Sequence, residues 1–100
     1  MYAQRRDINE PEIVDALRCV GAYVQQMDKS VGFDLLVAFR GVLYVVEVKN
    51  CKPQNVYREL TENESKTMQL IEKTGVNYNI VTGAAAALAV VGINTGEQNG

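Results

Sequence analysis

The chain contains no histidine. That absence removes His-based general acid–base catalysis, most zinc sites and the common catalytic triads together. Cysteine is scarce as well. Cys19 and Cys51 stand far apart without CxxC spacing, which reads as a buried thiol at Cys19 and an incidental one at Cys51, not a disulfide or a metal pair. No run approaches the roughly 18 apolar residues of a membrane span. The opening MYAQRRDINEPE lacks the apolar stretch of a secretory signal, so the expected setting is cytoplasmic, with no membrane partner. Positive charge is not in excess either: ten basic against twelve acidic residues give a formal charge of −2. Such a balance does not advertise a polyanion partner, although carboxylates loaded with divalent cations present positive charge locally.

What the chain does hold is a composition of 47% hydrophobic and 22% charged residues over 100 positions, enough for one core and one domain. Residues 1–92 are expected to form that domain, and residues 93–100, INTGEQNG, a flexible tail. Residues 32–49, GFDLLVAFRGVLYVVEVK, read as two short apolar strands joined by a tight turn at Arg40-Gly41. With a two-residue loop, Phe39 pairs with Val42, and counting back along the pairs sets Asp34 opposite Glu47. Facing Cβ atoms in an antiparallel pair lie about 4.5–5.5 Å apart, and like charges there repel. Lys49 shares the face of Glu47 because strand side chains alternate.

The second strand is apolar on both sides, with Leu43 and Val45 on one and Tyr44, Val46 and Val48 on the other, the pattern of a central strand covered on both faces. Two acids opposed at the end of such a strand need a proton or a cation. The pair suits Mg²⁺, a hard ion that prefers oxygen ligands and keeps several waters. An ion there lowers the pKa of a water it binds, and Lys49 is placed to orient that water and to stabilise charge developing on a phosphate. The plainer alternative is a solvated hairpin end where Lys49 neutralises one carboxylate.

Around this hairpin the order is helix, three strands, helix, strand, helix. Asn9 reads as a helix cap, with Pro11 in the first turn and Glu12 as capping partner; Ile13, Val14, Leu17 and Val20 follow at helical spacing before Gly21. Residues 22–26 make a polar strand suited to a sheet edge, and residues 27–32 a turn-forming link. Residues 50–60 are a polar loop. Thr61 and Glu64 form a capping box that opens a helix carrying Met68, Leu70 and Ile71 and ending at Gly75. Residues 77–81 alternate as a strand, and residues 84–91 read as a short terminal helix, with strand as the alternative.

An acid opening one strand, a hairpin, and Glu-x-Lys closing the next, after a Glu-bearing helix, resembles the PD-(D/E)xK nuclease superfamily: here GFD…EVK, with Asp34 first and Glu47-Val48-Lys49 second. The fuller set NEPEIVDALRCVGA…GFDLLVAFRG…LYVVEVKN…LTENES is similar to virus-type replication-repair (VRR-Nuc) nucleases and to archaeal-type Holliday junction resolvases, over about residues 5–82. The resemblance implies an α/β, restriction-endonuclease-like αβββαβ core whose central mixed sheet is flanked by helices. It implies a Mg²⁺- or Mn²⁺-dependent endonuclease acting on DNA, with branched or junction DNA as a candidate substrate. It also implies a homodimer, in a bacterium or a phage-infected host cell.

Asp34 and Glu47 would be metal ligands and Lys49 the water-positioning catalytic group. Glu10, at the start of the first helix, would be a further catalytic acid and ligand, with Asp7 and Glu12 as substitutes. Two departures stand out: Glu64 occupies the position where the family often carries Gln, with Gln69 a turn further on, and Phe33 stands where Pro usually precedes the Asp. Lys52, Arg58, Lys66 and Lys29 are candidates for a phosphate track, Tyr57 for stacking on a base, and Arg5 and Arg6 for a phosphate contact. The alternative to an enzyme is a nucleic-acid-binding module of the same fold without turnover.

Overall fold

A two-residue turn sets the register of the sheet. Arg40 and Gly41 both take positive φ, 50° and 83°, as the hairpin turn matched to strand twist requires, and the Arg40 guanidinium lies 4.8 Å from the centre of the Phe39 ring. Phe39 therefore pairs with Val42, and the antiparallel ladder runs back to Leu35 opposite Val46, the register expected from the sequence. The computed structural model describes residues 7–94. Its elements are α1 (Glu10–Cys19), β1 (Tyr23–Gln26), β2 (Leu35–Phe39), β3 (Val42–Val48), α2 (Glu62–Glu72), β4 (Tyr78–Val81) and α3 (Ala84–Val90). The strands form one mixed sheet in the order β1-β2-β3-β4, antiparallel except for the β3–β4 pair, which α2 connects as a crossover. Element order, mixed sheet and the edge position of β1 all agree with the sequence reading.

Alternation along the strands divides the sheet into unlike faces. One carries Val24, Leu35, Val37, Phe39, Val46, Val48 and Val81, all buried in one cluster with Ile13, Val14 and Leu17 of α1, Ala87 of α3 and Val91 just after it. The other carries Leu36, Ala38, Leu43, Val45 and Glu47. Here the expected two-sided burial of β3 is corrected. Only Val46–Val48 are fully buried, while Val42 is 48% and Leu43 64% exposed. The reason is extent: β4 pairs β3 only from Val45 onward, and α2 contributes no buried residue except Glu64.

Four local expectations also change. Asn9 precedes α1 but caps nothing with its side chain, because its backbone is helical (φ −87°, ψ −3°) instead of the extended form that turns a cap inward. Glu12 is accordingly exposed and no capping-box partner. Cys19 is exposed, since the inward stripe of α1 is Glu10, Ile13, Val14 and Leu17, and position 19 lies about 200° round the helix from Leu17. The tail does not start at 93: the Ile93 N–H bonds the Leu88 carbonyl at 2.8 Å and its side chain packs on the core. Residues 95–100 and the arginines at 5 and 6 lie outside the described residues.

Candidate functional site

Four carboxylates are buried among the described residues: Glu10, Asp34, Glu47 and Glu64. Burying a charge is costly unless it is paired, so each calls for an account of its partners. Asp34 sits one residue before β2, where the regular ladder ends. Its N–H bonds the Val46 carbonyl at 3.2 Å, its Oδ2 accepts the Val48 N–H at 2.9 Å, and its Oδ1 lies 3.1 Å from the Lys29 ammonium. One further step in the register sets it against Glu47, on the less covered face of the sheet.

Glu47 is 1% exposed, and neither carboxylate oxygen has a hydrogen-bond partner; the Lys49 ammonium lies 3.5 Å from Oε2. Burial, then the negative charge of Asp34, pushes its pKa from 4.5 up to about 9. Without a cation, Glu47 is therefore protonated at neutral pH.

Lys49 is held in turn by Glu64. A single oxygen, Glu64 Oε1, accepts from the Lys49 ammonium at 2.8 Å and from the Thr61 N–H at 2.9 Å, while Thr61 Oγ1 accepts the Glu64 N–H at 3.1 Å. The expected capping box thus forms and doubles as the anchor of the site lysine. Burial alone raises the Glu64 pKa, but the Lys49 bond and the Thr61 N–H outweigh it and hold the carboxyl below its ordinary value. For Lys49, burial pulls the pKa down, and the bond to Glu64 with the charges of Glu64 and Glu47 more than reverses this. Lys49 is a cation in this site, a donor and not a base.

Of the acids offered as a third ligand, Glu10 is buried and its Oε2 accepts from Gln26 Nε2 at 2.9 Å. Gln26 pairs with Leu35, next to Asp34, so Glu10 stands at the same end of the sheet. Asp7 is half-buried in the field of Lys29, Asp34, Lys49 and Glu64; burial, the largest influence, raises its pKa. Glu12 points away into solvent. Among the described residues, no group of three or more acidic or cysteine side chains is arranged to hold a metal ion. What the site offers a cation is the Asp34–Glu47 pair, with two buried oxygens on Glu47 that lack hydrogen bonds.

Lys29, offered for the phosphate track, lies 3.1 Å from Asp34 Oδ1 and so belongs to the cluster. Lys52, Arg58, Lys66 and Tyr57 are exposed, as is Gln69. Sequence reasoning missed two supports. Asn9 Nδ2 donates to the carbonyls of Lys49 and Thr82, at 3.1 and 3.0 Å, tying the start of α1 to the ends of β3 and β4. Gly32 lies against α2: its φ is +99°, a Cβ there would run into the Thr67 side chain, and its carbonyl accepts the buried Tyr78 hydroxyl at 2.6 Å. A glycine two residues before a strand-opening acid was the available signal; nothing in the sequence pointed to Thr67 or Tyr78. No protein-family model matches the chain, and neither a curated protein nor a solved structure is significantly similar to it.

Proposed function

We propose that the protein is a metal-dependent endonuclease that hydrolyses DNA phosphodiester bonds, with branched DNA as the candidate substrate, on a restriction-endonuclease-like core. The observation that carries this reading is Glu47: a carboxyl 1% exposed, without a hydrogen bond, at the end of a central strand beside a second buried acid. A structural carboxylate would be satisfied by donors; one left with two open oxygens suits a cation. Asp34 and Glu47 would hold Mg²⁺ or Mn²⁺, with Glu10 as an auxiliary acid at the same sheet end. The ion supplies Lewis acidity toward a phosphoryl oxygen and charge neutralisation.

The chain's own groups do the rest. The Val48 N–H fixes the Asp34 carboxylate, and Glu64 holds the Lys49 ammonium beside Glu47. Lys49, held by Glu64, is placed to orient an attacking water through that water's oxygen and to stabilise negative charge on the phosphate. Lys52, Arg58 and Lys66 are exposed and available to the DNA backbone. A homodimer would present two such sites to a branched duplex, in the cytoplasm of a bacterium or a phage-infected host. No helix among the described residues is long and apolar enough to cross a membrane.

The test is incubation with flap, junction and single-stranded DNA in Mn²⁺. Cleavage is expected, and Glu47→Ala or Lys49→Ala is expected to lower it by roughly 10²-fold or more. Two observations favour a second reading, a DNA-binding module without turnover: Lys49 is engaged by Glu64, and among the described residues no three-acid group is assembled. Binding of all three DNAs with no cleavage of any would decide for the module.

A further inference from the structure

We infer that Lys29 is a built-in counter-ion of the Asp34–Glu47 site, occupying it in the ion-free protein and competing directly with a divalent ion. The inference rests on the reading of that pair as a cation site. Its evidence is the way Lys29 is mounted. The ammonium lies 3.1 Å from Asp34 Oδ1, and Asp34 is one of the two acids that would hold the ion.

The backbone carrying Lys29 is fixed from several sides. Residues Lys29–Val31 form a 3₁₀ turn capped by Asp28, whose Oδ2 accepts from the Ser30 N–H at 3.0 Å. Asn63 of α2 donates to the Ser30 carbonyl at 3.2 Å, and Tyr78 donates to the Gly32 carbonyl. With the turn held, the movable part is the side chain, which is 30% exposed and has a path into solvent, whereas Asp34 is 2% exposed.

Charge gives the reason for the arrangement. Among the described residues, Asp7, Asp34 and Glu64 act on one another here beside Lys29 and Lys49, and Lys49 bonds Glu64. Lys29 brings a second ammonium to the ion-free site, 3.1 Å from Asp34 Oδ1. A divalent ion entering at Asp34 and Glu47 meets that ammonium and must displace it. Lys29 therefore weakens ion binding while steadying the empty site.

The experiment is Mn²⁺ titration of the metal-free protein by calorimetry, with free Mn²⁺ followed by electron paramagnetic resonance, for wild type, Lys29→Gln and Lys29→Arg. Removing the charge is expected to tighten Mn²⁺ binding about tenfold, and Arg to stay within about twofold of wild type. Mn²⁺ is also expected to raise the Tm of Lys29→Gln by more than that of wild type. Equal or weaker Mn²⁺ binding by Lys29→Gln overturns the inference. If wild type then still binds Mn²⁺ in a Glu47-dependent way, the cation-site reading stands without it. If neither wild type nor Lys29→Gln binds Mn²⁺ at millimolar concentration, both fall.

Discussion

Glu47 is the residue on which the pH behaviour of the protein should turn. Folded, it keeps its proton until about pH 9; unfolded, it releases it near 4.5. Between those values folding takes up a proton, so this residue's contribution to stability is complete below the unfolded value and declines as pH rises toward 9. Glu47→Gln is expected to be more stable than wild type at pH 8 in EDTA, because Gln is spared the proton uptake that folding demands of Glu47 at that pH. At pH 4 the two should coincide. Urea denaturation at both pH values checks this, and a variant less stable than wild type at pH 8 would mean Glu47 is better satisfied than its geometry indicates. The acids at 34 and 47 and the lysine at 49 were legible in the sequence because a hairpin count and side-chain alternation suffice to bring them together. The roles of Lys29 and Glu64 were not: Lys29 reaches Asp34 across a turn, and Glu64 meets Lys49 from a different element.

At the scale of elements, α2 is what completes the site, and it does so through its first turn and one close approach. Glu64→Ala removes the capping box along with the Lys49 anchor and is expected to cost about 1–2 kcal/mol. Glu64→Gln, whose side chain can still accept from Thr61, should retain most of that stability; thermal denaturation of the pair separates cap from charge. Gly32→Ala is expected to destabilise by at least about 2 kcal/mol, from the positive φ and the collision with Thr67. Thr67→Ala in the same chain should recover only part of that loss, because it relieves the collision and leaves the backbone strain. The capping box could be read from Thr61 and Glu64 alone, since its bonds span three residues. The glycine contact spans 35 positions, and no local pattern encodes it.

At the scale of the whole molecule, the sheet is dry on one face and partly open on the other. The open part, including Leu43 at 64% and Tyr23 at 60% exposure, is where a second copy would gain most from burial. Sedimentation equilibrium is expected to show a dimer that Leu43→Asp shifts toward monomer; a monomer at every concentration would leave the two-site arrangement without support. Periodicity and turn chemistry, read from the sequence by itself, determined the element order, the hairpin register, the opposed acids and the capped second helix, because each is settled by residues within a turn or a ladder of one another. Tertiary structure alone decided which face of β3 is buried, that Asn9 ties α1 to the strand ends instead of capping, and that Cys19 faces solvent. It also decided that the acids of residues 32–49 are shared between two lysines, one tied to Glu64 and one to Asp34. Those outcomes depend on how far α2 and β4 extend over the sheet, a distance in space that spacing along the chain does not carry.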